Sequence, residues 1–130
     1  MRWYLDTSAA MKLLVHEPES NALVQTLNAR GDADRLVGSW LLHTELHCAA
    51  ARHPEAVEAG SVDAVLDGLT LVDLLRVDLI GAPTAGAGLR SQDALHLAVA
   101  LRVDADAILT YDDEQAAAAE RAGLAVLRPS

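Results

Sequence analysis

The opening stretch Arg2-Trp3-Tyr4-Leu5-Asp6-Thr7-Ser8-Ala9-Ala10-Met11-Lys12-Leu13-Leu14 decides the fold class. Arg2-Trp3-Tyr4-Leu5 reads as a short buried strand that stops at an acid, Asp6. Thr7 and Ser8 then offer capping hydroxyls to the apolar-patterned helix that follows. The chain therefore opens strand, acid, helix. Downstream, Pro18-Glu19-Ser20 starts a second helix with Leu23, Val24 and Leu27 on one stripe, ending near Arg30-Gly31. Arg35 to Gly38 is a second strand, and Trp40 to Arg52 a longer helix stopped by His53-Pro54.

Pro54 to Gly60 reads as a short helix or turn, and from Ser61 a further helical stretch carries Val65, Leu66 and Leu69. Leu71 to Val77 reads as a strand. Leu79 to Gly88, punctuated by Gly81, Pro83 and Gly86, is rich in helix breakers and reads as irregular. Ser91 to Val103 is strongly helical and Ala107 to Thr110 is a strand. Glu114 to Ala122 is an Ala-rich helix closed by Gly123, and Leu124 to Leu127 a last strand. Strands alternating with helices imply right-handed crossovers and a three-layer α/β fold, a mostly parallel central sheet flanked by helices. In such sheets working residues lie beyond the carboxyl ends of the strands, where Asp6 and Asp112 fall.

A chain of 130 residues with 52% hydrophobic content fits one domain spanning 1–130. Phe is absent, so the core is aliphatic and aromatic platforms for stacking single-stranded nucleic acid are not expected. The lone Cys48 cannot form an internal disulfide; its place in an apolar helical pattern predicts a small buried hydrophobe in a reducing compartment. No apolar run approaches the roughly 20 residues that span a bilayer, and the start of the chain has no signal-peptide core. A cytoplasmic protein without membrane association is expected. The net charge of −9 argues against a surface broadly attractive to polyanions. That argument loses force where carboxylates concentrate in one metal-binding cleft, because a bound cation inverts the local field.

The acids differ in what each implies. Asp6 ends a strand, where a helix cap explains it equally well. Glu45 sits beside the apolar seam Leu42, Leu46, Ala49 of its helix, a boundary position from which a glutamate commonly reaches water. Asp93 shares a helical face with Leu97 and Ala100, which puts a carboxylate on the stripe that points into the protein. Asp112 follows Leu109-Thr110-Tyr111 at a strand end, where turn chemistry alone accounts for it; Asp113 is its alternative. Taken together, Asp6, Glu45, Asp93 and Asp112 fall where a parallel sheet and its first-turn helices bring them to one edge. Like charges there require a cation, and hard oxygen ligands favour Mg²⁺ or Mn²⁺ over zinc. Such an ion suits hydrolysis of a phosphodiester. Thr7, Ser8 and Thr110 are placed to orient water on the metal. His43 and His47, four apart on one face, lack the glutamate spacing of a metalloprotease motif and read as surface or subunit-contact residues. His96 reads as a packing or hydrogen-bonding residue rather than a ligand.

These residues resemble PIN-domain ribonucleases and, within them, the VapC-type toxins of bacterial toxin–antitoxin pairs. The carriers are Tyr4-Leu5-Asp6-Thr7-Ser8-Ala9, Thr44-Glu45-Leu46, Leu89-Arg90-Ser91-Gln92-Asp93-Ala94-Leu95-His96-Leu97-Ala98 and Leu109-Thr110-Tyr111-Asp112, with Ala122 to Val126 as the closing helix-to-strand passage. The resemblance covers the whole length. It implies a metal-dependent endoribonuclease acting on structured RNA, often tRNA, with Asp6, Glu45, Asp93 and Asp112 around Mg²⁺ or Mn²⁺. It also implies a homodimer and a cognate antitoxin whose carboxyl-terminal segment crosses an apolar groove and reaches the acidic site with a basic side chain. Arg90, Lys12 and Arg2 are candidate sources of substrate-facing charge. The loose Gly81 to Gly88 stretch departs from the regular helix expected there. Two other classes compete: a haloacid-dehalogenase-like phosphotransferase with Asp6 as nucleophile, although Ser8 stands where that pattern places a second Asp, and a non-catalytic partner-binding module.

Overall fold

The strands β1 (Arg2–Leu5), β2 (Arg35–Ser39), β3 (Thr70–Val72), β4 (Ala107–Leu109) and β5 (Ala125–Leu127) form one sheet in the order β3-β2-β1-β4-β5, every neighbouring pair parallel. This is a computed structural model describing all 130 residues. The chain works outward from β1 to β3, then returns to lay β4 on the other side of β1. Crossovers of one hand before and after that reversal send helices to opposite faces of the sheet. The helices α1 (Thr7–Leu14), α2 (Ser20–Asn28), α3 (Trp40–Arg52) and α4 (Ala59–Asp67) cover one face, packing Leu23, Leu42, Leu46 and Val62 on Leu5, Leu36 and Leu109. On the other, α6 (Ser91–Arg102) and α7 (Asp113–Arg121) pack Leu97, Val99, Ala118 and Ala119 on Tyr4, Val37 and Ile108. The result is the three-layer α/β fold expected, with a sheet that is wholly parallel. No helix is long and apolar enough to cross a membrane.

Two elements differ from the sequence reading. The strand expected over Leu71 to Val77 pairs only over Thr70–Val72, and the stretch expected to be irregular is a helix, α5 (Arg76–Ala85), with Pro83 inside it. Asp78 explains both. One of its carboxylate oxygens accepts the Leu75 N–H at 2.8 Å, capping a helix where the sequence pattern continued a strand, and the other accepts from Arg102 Nε at 2.7 Å. Arg102 also donates to the Asp73 carbonyl at 2.8 Å, so the end of α6 holds the start of α5. Helix propensity is a weak prior, and here a packed face overrides it. Ala82 lies buried against Ala94 and Ala98 of α6.

Gly86 makes that approach possible, because a Cβ there would stand 2.7 Å from the Ala94 Cα and 2.8 Å from its Cβ. Gly81 has open space around it. Gly86→Ala, just past the end of α5, should therefore lower stability by about 1–3 kcal/mol, as overpacked cores do, while Gly81→Ala inside that helix should raise it by roughly 0.5–1 kcal/mol. Urea unfolding of both variants checks this; equal effects would contradict the packing described.

Candidate active site

β1 and β4 lie side by side at the point where the chain reverses its direction across the sheet, and the crevice beyond their carboxyl ends is the customary ligand position in open α/β sheets. Asp6 extends the pairing there, donating its N–H to the Leu109 carbonyl at 3.0 Å. It occupies the N-cap of α1, yet its side chain makes no cap bond, so the capping explanation for this acid fails. The carboxylate is instead turned into the crevice and only 1% exposed.

Neutral donors hold it. Ser8 Oγ and Thr110 Oγ1 each donate to Asp6 Oδ2 at 2.8 Å. Each hydroxyl has one proton to give, so the same two oxygens act as acceptors for the N–H groups of Tyr111, at 2.9 Å, and Asp112, at 3.2 Å. Ser8 and Thr110 thus orient the carboxylate itself, where the sequence reading had them orienting water. The second oxygen, Oδ1, has a single long contact, 3.4 Å, to Gln115 Nε2. Ser8, standing where a haloacid-dehalogenase-like phosphotransferase has its second Asp, is committed to Asp6 Oδ2, which counts against the phosphotransferase reading.

Glu45 reaches the same region from α3, whose buried seam is Leu42, Leu46 and Ala50. Its Oε1 accepts from Thr7 Oγ1 at 3.0 Å and pairs with His96 Nε2. His96 is fully buried on α6, with Nδ1 at 2.7 Å from the Tyr4 hydroxyl. Burial, partly offset by the Ser39 hydroxyl, pushes the Tyr4 phenol well above its usual range, so Tyr4 stays protonated. A carboxylate only accepts, so His96 Nε2 carries the proton that faces Glu45, while Nδ1 shares a hydrogen bond with the Tyr4 hydroxyl. His96 is thus a hydrogen-bonding residue, and it fixes one acid of the site through a buried chain that starts on β1.

Asp93 is half-buried in the first turn of α6. Its carboxyl is raised above the ordinary value of 3.8, first by burial, then by the negative charges of Asp6 and Asp112; Glu45 adds to the rise and His96 opposes it. Asp112 caps α7, its Oδ1 accepting the Gln115 N–H at 2.9 Å. Asp113 points away, 90% exposed and paired with Arg128 at 2.8 Å, so of the two neighbouring acids it is Asp112 that faces the others. None of Asp6, Asp93 and Asp112 forms an ion pair with a basic side chain. Nor do any three His, Cys, Asp or Glu side chains converge into a ready-made metal cage.

Other candidates lie elsewhere. Arg2 is at the amino end of the sheet, its guanidinium on the Val103 carbonyl at 2.8 Å, and is not available to the acidic edge. Lys12 is neutralised by Glu19 at 2.7 Å and Glu17 at 3.3 Å and sits over the Tyr111 ring. Arg90, the residue before α6, is exposed and free of ion pairs. His43 stacks between Trp40 and His47, and His47 faces Asp63 at 3.3 Å, a surface arrangement as expected. Cys48 is exposed, contrary to the buried position expected, because the seam of α3 runs through Ala50. Gln115, buried beside Asp6, was not singled out from the sequence, although the Asp112-x-x-Gln115 spacing is the signal of a capping pair.

The PIN domain model matches residues 3–121. Ribonuclease VapC46 of Mycobacterium tuberculosis is 41% identical over 133 aligned residues that take in 98% of this chain and 97% of that protein. The fold is similar to that of VapBC2 from Rickettsia felis, solved bound to a DNA fragment from its promoter, with a TM-score of 0.74 at 14% identity over 100% of both chains. It is also similar to VapC20 of Mycobacterium tuberculosis, described as a sarcin-ricin loop cleaving toxin, with a TM-score of 0.71 at 13% identity over 98% of this chain and 99% of that one.

The raised Asp93 carboxyl has a consequence for stability. A group that binds its proton more tightly folded than unfolded contributes stability below its ordinary value of 3.8 and loses it as pH rises through the raised one. In EDTA at neutral pH, Asp93→Asn should melt above the parent, with the gap closing as pH falls below the carboxylate range. A gap independent of pH would contradict this origin.

Proposed function

Since the chain belongs to the PIN-domain family, and within it to the VapC-type ribonucleases, we propose that it is a toxin-like endoribonuclease that cleaves structured RNA with a divalent cation at the Asp6, Glu45, Asp93, Asp112 edge. The observation that carries this reading is that Asp6, Asp93 and Asp112 all lack a basic partner at one edge of the sheet, the Asp93 carboxyl being raised first by burial and then by the charges of the other two. Carboxylates withdrawn from water need a compensating charge. The donor set, all hard oxygen, fits Mg²⁺ or Mn²⁺. The lack of a preformed three-ligand cage also suits such ions, which keep several waters and take only one or two carboxylates.

Of Asp6 Oδ1, Asp93 and the uncapped oxygen of Asp112, one or two would bond the cation directly and the rest would reach it through its waters. Glu45 is fixed by Thr7 and His96 at the rim, suited to accepting a proton from an attacking water. A divalent cation, when bound, supplies positive charge against the charge that develops at phosphorus and eases deprotonation of that water. Arg90, exposed one turn before Asp93, is placed for an RNA phosphate. With a net charge of −9, such contacts are few, and recognition by shape of a structured RNA suits the chain better than a broad basic surface.

Partners follow from the same reading. An antitoxin that supplies a basic side chain to the acidic edge would satisfy the unpaired carboxylates in place of the cation. Leu75, Val77, Leu79 and Ile80 leave α5 with an uncovered apolar face, Ile80 71% exposed, which supports a second copy of the chain as its cover. Ile80→Asp should turn a dimer into a monomer by light scattering; a monomeric parent would remove the dimer from this reading.

The activity is tested on purified protein with structured RNA. Cleavage should stop in EDTA, return with Mg²⁺ or Mn²⁺, and fall by at least roughly 100-fold in Asp6→Asn, since even outer-shell changes at metal sites reach that size. Cleavage that resists EDTA, or persists undiminished in Asp6→Asn, would overturn the assignment. Sequencing of the new RNA ends after brief expression identifies the substrate.

A further inference from the structure

We propose that Gln115 is a positioning residue for Asp6, fixing which carboxylate oxygen is presented to the cation; this rests on the metal-dependent reading above. Gln115 stands at the third position of α7, after the N-cap Asp112. In a capping box the side chain at that position returns to the N-cap backbone N–H. Here the Asp112 N–H is already taken by Thr110 Oγ1 at 3.2 Å, and the Gln115 N–H is taken by Asp112 Oδ1 at 2.9 Å. The first turn is satisfied without the Gln115 carboxamide, which is turned inward.

There it is fully buried, the one polar residue on a buried α7 face otherwise made of Ala116, Ala118 and Ala119. Its Nε2 donates to the Asp93 carbonyl at 2.9 Å and approaches Asp6 Oδ1 at 3.4 Å. One amide therefore ties the end of β1 to the first turn of α6, two elements that each bring an acid to the site. Its Oε1 has no hydrogen-bond partner. A buried acceptor left unpaired is destabilising, so this side chain is a poor solution to a packing problem.

The two Asp6 oxygens are treated differently. Oδ2 accepts two hydroxyl bonds at 2.8 Å, whereas Oδ1 has only the Gln115 contact, longer than a full N–H···O bond. Oδ1 is the oxygen with lone pairs to spare, and Gln115 limits its swing. A group that holds a ligand in place from behind typically tunes metal affinity about 10–100-fold.

The test compares Gln115→Met, which keeps the volume and removes the amide, and Gln115→Asn, which keeps the amide but falls one methylene short. Calorimetric Mn²⁺ titration of both variants should show affinity lowered about 10–100-fold, with RNA cleavage recovering as Mn²⁺ is raised. In EDTA, Gln115→Met should melt no lower than the parent, because removal of the orphaned Oε1 offsets the lost bonds. Unchanged Mn²⁺ affinity in both variants would overturn the proposal, as would a drop in melting temperature with affinity intact, the mark of a purely structural residue. A parent protein that binds no Mn²⁺ would instead overturn the metal-dependent reading itself, before any variant is compared.

Discussion

A carboxylate at the end of the central strand of this sheet is withdrawn from water almost completely, and much of the surrounding structure follows from keeping it there. A buried charge is tolerated only when its lone pairs are met and a compensating charge is at hand. The first condition is met for Oδ2 by Ser8 just after β1 and Thr110 just after β4, while Oδ1 has only the long contact from Gln115 in α7. Those partners are within reach only because β4 returns to lie beside β1, with Asp6 still paired to Leu109. The reversal of chain direction across the sheet is thus the geometric origin of the site. The second condition is not met by any basic side chain. That unmet requirement is what the divalent cation, or an antitoxin's basic group, would answer.

The four acids do not play equivalent parts. Asp6 is held through Oδ2, Asp93 is raised first by burial and then by the charges of its neighbours, Asp112 shares itself between helix capping and the site, and Glu45 is kept at the rim by Thr7 and His96. The buried chain from Tyr4 through His96 to Glu45 crosses from β1 to α6 to α3, so the positions of two acids are set by the same strand. Unequal environments for like groups are how a cluster of carboxylates divides binding from proton transfer.

The sequence made the fold class and the acids legible for a physical reason. An acid between the end of a strand and the start of a helix, at Leu5-Asp6 and again at Leu109-Thr110-Tyr111-Asp112, is a local pattern, and parallel topology follows from strand and helix alternating. Asp93 was visible because a carboxylate on an apolar stripe breaks periodicity. What was hidden depended on tertiary contact. Gly81 and Pro83 argued against a helix, yet α5 forms because Asp78 caps it, Arg102 holds Asp78, and Gly86 lets Ala94 approach. Gln115 gave no signal beyond an ordinary capping spacing, because only the fold shows Thr110 accepting the Asp112 N–H in its place. Arg2 lay on the wrong end of the sheet for the role suggested, and the Cys48 position turned on a shift of one residue in the α3 seam.

On the function proposed, the acidic edge beyond β1 and β4 is a cation site organised by Asp6. The most direct measurement is the anomalous scattering of Mn²⁺ soaked into crystals at a concentration that supports RNA cleavage. One strong peak is expected in direct bonding distance of an Asp6 oxygen, between the Asp93 and Asp112 carboxylates. A peak at any other place, or an acidic edge that stays empty while the metal supports cleavage, would contradict it.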